Sequence, residues 1–308
     1  MRILVLRPGA IGDTLVTFPL LQRLQRTIPD LELTFVGNAA VLPLLQEFKL
    51  AQEVSNFEER LWSRLFLPAD SRGQQLLHSK LQQIDCAICW LGDPEGTVKA
   101  NLRFAGVSQI FIMPGRPGSR VSLPIVDYLA TNIRHLVGPD ISWQPPNAYA
   151  WPPNSESIRN HTIAIHPGSG GAAKCWPLTH FVELITALWQ QATPVLICVG
   201  PAEQTRLLDL QNLLPEPPAP ELLHMMQDAP LTLLAQTLRQ CCGYVGNDSG
   251  ITHLAALLGM PTLALFGPSN PTIWHPIGER VQIIHNPSLD TITPADVMAI
   301  LALVLCQN

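Results

Sequence analysis

The sequence predicts an α/β protein built from two doubly wound, Rossmann-like domains in tandem. Three observations carry that expectation. The chain has 308 residues, long for one core and suited to two units of about 150 each. Short β-branched apolar runs alternate with segments of helical period, which implies parallel sheets. The alternation stops once, between Gly138 and Asn160, where Pro139, Pro145, Pro146, Pro152 and Pro153 punctuate an Asn- and Ser-rich stretch, and then restarts. Such a stretch reads as a linker.

In the first domain, residues 1–138, an apolar strand at 2–6 runs into a glycine loop. A helix at 14–26 follows, with apolar positions at helical spacing. Strands are expected at 31–36, 85–90 and 109–113, and helices at 94–104 and 124–136. Residues 139–160 form the linker. In the second domain, residues 161–308, strands are expected at 162–165, 194–199, 243–245 and 262–266. Helices are expected at 178–191, 203–213, 231–240 and 251–258. A closing helix at 294–306 is expected to pack back on the first domain. Doubly wound sheets bind ligands outside the carboxyl ends of their strands, so the loops there are where chemistry is sought.

Composition narrows the function. Apolar residues make up 47% of the chain, which argues against disorder. A net charge of -5 leaves no nucleic-acid footprint. Residues 1–138 carry 14 Lys+Arg against 12 Asp+Glu, and residues 139–308 carry 5 against 12, with Lys174 the one lysine of the second half. Seven scattered cysteines suggest reduced thiols rather than a disulfide framework. The opening apolar run ends at Arg7-Pro8-Gly9, too early for a signal peptide, and no run reaches the roughly 18 apolar residues of a membrane helix. A cytoplasmic protein is expected.

Three strand-to-helix loops carry the candidate chemistry. The first is Arg7-Pro8-Gly9-Ala10-Ile11-Gly12-Asp13-Thr14. Its glycines permit a tight turn and close ligand approach, but G-x-G-x-x-G is absent. Asp13, at the start of the helix, is either an N-cap or a general base at a cleft edge. The second runs from His166 to Pro177 around Gly168-Ser169-Gly170-Gly171 and Lys174. Its amides and lysine suit a phosphate. A Walker A loop is disfavoured, because Ala173 stands where that motif has Gly and Cys175 where it needs a hydroxyl for Mg²⁺. The third contains Asp248-Ser249-Gly250 and His253. Ser249 and Gly250 offer amides at a helix start, although Asp248 or Ser249 could simply cap it. Cys86 and Cys89 lie on a predicted strand with their thiols on opposite faces, which favours plain burial over redox or zinc chemistry. Met225-Met226 reads as core or interface filler. No histidine spacing suggests a metal site, and no G-x-S-x-G elbow occurs.

Together these pieces resemble glycosyltransferase family 9, the ADP-heptose:lipopolysaccharide heptosyltransferases and their relatives. The resemblance is carried by Ile3–Arg7 with Gly12-Asp13, Lys174-x-Trp176-Pro177, Gly200-x-x-Glu203 and Asp248-Ser249-Gly250-x-x-His253. It implies a GT-B fold, two Rossmann-like domains facing a cleft, and an inverting transfer that needs no cofactor or metal. By that resemblance Asp13 deprotonates the acceptor hydroxyl and Lys174 neutralises the departing diphosphate, a pair across the cleft. Ser169, Gly170, Asp248, Ser249, Gly250 and His253 line the donor site, and Glu203 holds the nucleotide ribose. The donor is expected to be ADP-linked. The acceptor, an anionic glycan or glycolipid, falls to the first domain near Arg7 and Gly12, with peripheral contact at the inner membrane. Arg60, Arg64, Arg116 and Arg120 are weighed for the same role and read as ordinary surface charge. The rival readings are a nucleotide-sugar epimerase of the same build and a binding protein without turnover.

Overall fold

Two parallel sheets organise the chain. The computed structural model describes residues 1–68, 71–138 and 160–306, with backbone alone at 71–74 and 160. The chain divides into units Met1–Trp143 and Gln144–Asn308. The expected linker lies outside the described residues, except that Asn160 already opens a strand.

The first sheet contains β1 (Arg2–Arg7), β2 (Glu32–Gly37), β3 (Glu53–Asn56), β4 (Cys86–Trp90) and β5 (Gln109–Met113), in the order β3-β2-β1-β4-β5. The second contains β6 (Asn160–His166), β7 (Val195–Val199), β8 (Leu223–Gln227), β9 (Cys241–Asn247), β10 (Thr262–Phe266) and β11 (Val281–His285), in the order β11-β10-β9-β6-β7-β8. The central strands are buried end to end, as at Ile3–Leu6 and Cys86–Trp90. Covered on both faces by helices, they read as continuous apolar runs rather than alternating ones.

The order matters for function. β1 pairs with both β2 and β4, and β6 with both β7 and β9. In each sheet the winding reverses beside the first strand, which opens a crevice at the carboxyl ends of β1 and β4 and again at those of β6 and β9. The three loops singled out in the sequence leave β1, β6 and β9.

Some expectations need correction. The helix expected at 14–26 is two helices, Ile11–Leu15 and Phe18–Thr27. Pro19 has no amide to donate to Leu15, so the ladder breaks there. The helix expected at 124–136 also divides, into Ile125–Thr131 and Arg134–Val137. In the closing helix Pro294–Cys306, Val297 and Leu301 join the second core with Trp176, Phe181 and Leu265. Of the two readings of Met225 and Met226, core or interface, the core one fails: they lie on the edge strand β8, with Met225 exposed. Cys86 and Cys89 are both buried and free. Burial, with the charge of Asp85, pushes the Cys86 thiol up to about 12, so it stays protonated. Among the described residues no helix is long and apolar enough to cross a membrane.

Candidate active site

Each switch point carries a carboxylate bound to a cation. In the first domain the loop after β1 enters the helix Ile11–Leu15 with Ala10, not Asp13, in the N-cap position. Asp13 is within the helix, so it is not the N-cap the sequence offered. The Asp13 side chain folds back, and its Oδ2 accepts the amide of Ala10 at 3.0 Å. Gly12 lies in the same turn.

Two guanidiniums meet at Asp13. Arg7, at the end of β1, donates from Nη2 to Asp13 Oδ1 at 3.1 Å and from Nε to the Asp13 carbonyl at 2.8 Å. Its Nη1 reaches the Trp90 carbonyl at 3.4 Å, at the end of β4. The space for this comes from Gly115, since a Cβ there would stand 1.8 Å from Arg7 Nη1 and 2.5 Å from the Trp90 carbonyl oxygen. Arg116, one residue on, donates from Nη2 to Asp13 Oδ2 at 2.9 Å. The Tyr128 hydroxyl braces the same turn by donating to the Pro114 carbonyl at 3.0 Å.

Arg7 was expected to face an anionic acceptor, but it is only 2% exposed and committed to Asp13. Arg116, read from sequence as surface charge, is the exposed cation at this site, with 69% of its side chain open to solvent. Burial pushes the Asp13 carboxyl up, but the Arg116 hydrogen bond, the Arg7 charge and the Ala10 amide outweigh it and hold it below the usual carboxylate range. Burial lowers Arg7 to about 10, against the pull of Asp13, so it remains charged at neutral pH.

In the second domain the loop after β6 is held at both ends. Asn247, fully buried at the end of β9, donates from Nδ2 to the carbonyls of Pro167 at 2.8 Å and Gly168 at 3.2 Å, and its Oδ1 accepts the Trp176 amide at 2.9 Å. Arg206 repeats the clamp from the helix Gln204–Leu213: Nε donates to the Pro167 carbonyl at 2.8 Å and Nη2 to the Trp176 carbonyl. Trp176 itself is buried, its indole N–H bonded to the Ile292 carbonyl at 2.9 Å. With both ends fixed, the turn from Ser169 to Cys175 projects outward, and Gly170 is exposed.

Within that turn Lys174 donates to Asp248 Oδ2 at 2.7 Å; the lysine side chain is 41% exposed and the aspartate 8%. The Ser169 hydroxyl donates to the Asp248 carbonyl at 2.6 Å, joining the two loops. Ser249 is the N-cap of the helix Gly250–Leu257, its Oγ accepting the Thr252 amide at 3.3 Å. His253 is buried in the first turns of that helix. Glu203 turns back so that its Oε2 accepts the Gly200 amide at 2.9 Å. Its stem packs on Gly168, where a Cβ would stand 2.3 Å from Glu203 Cγ. His166 is buried with Nδ1 2.8 Å from the Cys198 carbonyl. A carbonyl only accepts, so that nitrogen carries the proton, and burial favours the neutral ring.

The structure therefore gathers Lys174, Ser169, Asp248 and Ser249 in one domain, with Glu203 against the same loop, and gathers Arg7, Asp13 and Arg116 in the other. Sequence reasoning missed the roles of Asn247, Arg206, Gly115, Arg116 and Tyr128. Asn247 had a signal, since it adjoins Asp248 in a loop already singled out. Arg206 had none, being one arginine on an ordinary helix. Among the described residues no group of three or more His, Cys, Asp or Glu is placed to hold a metal ion.

Two parallel α/β units with loops poised at their switch points are the build of the GT-B fold. The family model for glycosyltransferase family 9 (heptosyltransferase) matches residues 141–294, half of the chain. The chain belongs to glycosyltransferase family 9. It is similar to lipooligosaccharide heptosyltransferase 2 of Haemophilus influenzae, 28% identical over 123 residues, which is 40% of this chain and 36% of that protein. The alignment thus spans little more than a third of the relative's length. In structure it resembles the ADP-heptose lipopolysaccharide heptosyltransferase II of E. coli, with a TM-score of 0.78 at 22% identity over 100% of this chain and 99% of the other. The E. coli heptosyltransferase WaaC with ADP gives 0.78 at 18% identity, covering 99% and 100%. At these identities the likeness shows the fold.

Proposed function

We propose that the protein transfers a sugar, a heptose from ADP-heptose, to a hydroxyl of an anionic lipopolysaccharide-type acceptor, with inversion and without a metal. The observation that carries this is the Lys174–Asp248 pair set in a clamped glycine turn. A transferase without a divalent ion needs a fixed cation where charge develops on the leaving group. Asp248 keeps that ammonium at the turn, and the diphosphate competes with it for the lysine's protons. Glu203, beside Gly168, suits a ribose hydroxyl. The amides at the start of the helix Gly250–Leu257 add a favourable dipole.

The first domain supplies the base. Asp13 accepts the proton of the acceptor hydroxyl, and that oxygen attacks the anomeric carbon. The bond from this carbon to the diphosphate oxygen breaks, and its electron pair leaves with the nucleoside diphosphate. Two structures of one neighbour, E. coli heptosyltransferase WaaC, with ADP and with ADP-2-deoxy-2-fluoro heptose, support the choice of nucleotide. The reaction belongs at the cytoplasmic face of the inner membrane, where such an acceptor is available. A calorimetric screen of ADP-, UDP- and GDP-linked sugars tests the donor. The ADP form is expected to bind at least about tenfold, roughly 1.4 kcal/mol, more tightly; preference for UDP or GDP would reject it.

A further inference from the structure

Asp13 holds two guanidiniums, and they differ in what fixes them. Arg7 is buried, bonded to Asp13 twice and directed at the Trp90 carbonyl, in a niche that Gly115 leaves open. Arg116 is mostly in solvent and meets the carboxylate through Nη2 at Oδ2. Two guanidiniums thus meet at one carboxylate. The segment from Pro114 to Pro124 adds Arg120, which is exposed, and contains no acidic residue. An anion approaching this turn is attracted before it meets Asp13.

We propose that Arg116 is an exchangeable counter-ion of Asp13: an anionic group on the acceptor draws Arg116 away from Oδ2, leaving that oxygen open to take the proton of the acceptor hydroxyl. This rests on the reading of Asp13 as the base. Oδ1 stays bonded to Arg7 and Oδ2 keeps the Ala10 amide, so the carboxylate holds its place while losing one cation. The groups facing it are Arg7 from β1, Arg116 from the loop after β5 and the Ala10 amide from its own loop; Tyr128, on the helix Ile125–Thr131, bears on Arg7 and braces the turn that presents Arg116. Removing one of two cations beside a buried carboxylate makes it more basic. Docking of a charged acceptor and activation of the base are then one event, and a neutral hydroxyl compound meets a base still covered. Tyr128 and Gly115 are positioning residues for this arrangement.

The test reads Asp13 directly and needs no turnover. In full-length protein labelled with ¹³C-aspartate, the Asp13 carboxyl signal is assigned by its loss in Asp13→Asn. It is then titrated in sulfate and in chloride at equal ionic strength, sulfate standing in for the acceptor's anion. The wild type is expected to titrate at higher pH in sulfate than in chloride. Arg116→Gln is expected to titrate at that higher pH already in chloride and to gain nothing from sulfate, and Arg116→Lys to restore the salt dependence in part. Identical wild-type midpoints in the two salts, or an Arg116→Gln midpoint equal to the wild type in chloride, would overturn the proposal. If no nucleotide-sugar supports transfer, the functional reading fails while this titration still decides the counter-ion exchange.

Discussion

The two switch points present the same pairing with different surplus. In the first domain one buried carboxylate, Asp13, is shared by Arg7 and Arg116. In the second one buried carboxylate, Asp248, is bonded to Lys174. Asp13 can give up a cation and remain paired. Asp248 cannot, so a ligand that engages Lys174 must share it with the aspartate. A base needs a lone pair that can be opened, while a phosphate seat needs a cation that is held still. The surrounding loops are also held differently. The Arg116 turn is braced by the Tyr128 hydroxyl, whereas the Lys174 turn is stapled at both ends by Asn247 and Arg206.

That contrast can be broken from either side. The largest effect is expected for Asp13→Asn, which keeps the side-chain volume and removes the proposed base: transfer should fall by about 10²–10⁴-fold in a direct product assay. Next is Lys174→Ala, with a loss of about 10²–10³-fold and an unchanged circular dichroism spectrum; near-normal turnover would remove the lysine from the mechanism. Asn247→Ala leaves the Gly168 carbonyl and the Trp176 amide without this partner, and the Pro167 carbonyl with Arg206 alone. It should destabilise the protein by about 2–3 kcal/mol in urea unfolding and raise the donor KM more than it lowers kcat. The smallest effect belongs to a control outside both sites. Arg2→Gln breaks the exposed pair with Glu32 and should change stability by less than about 1 kcal/mol and activity not at all.

Acidification adds a signed prediction. The Asp13 carboxyl is held below its ordinary range, so its ion pairs contribute stability above that range and lose it only as pH falls through the depressed midpoint. Arg116→Gln should move this loss of stability to higher pH in thermal melts.

Much of the fold was legible because buried parallel strands advertise themselves as apolar runs, and β1, β4, β7 and β10 read that way. The strands that escaped, β3, β8 and β11, are all sheet edges with half-exposed, polar sequences. An edge strand covers little core and leaves a weak pattern. Of the candidate site, the residues on glycine loops were visible because the loops were. The supports were not: Gly115 matters only through the guanidinium packed against it, and Arg206 only through two carbonyls more than 25 residues away in sequence. Arg116 was on the page as a cation, but its partner Asp13 lies 103 residues earlier, a separation no local pattern bridges.

The proposed division between a base in one domain and a donor seat in the other is tested most directly by titrating ADP-heptose calorimetrically into wild type, Asp13→Asn and Lys174→Ala while measuring transfer by each. Asp13→Asn should bind the donor within about twofold of wild type yet transfer almost nothing, and Lys174→Ala should bind at least about tenfold more weakly, roughly 1.4 kcal/mol. Lost donor binding in Asp13→Asn together with intact binding in Lys174→Ala would contradict the assignment of the two sites.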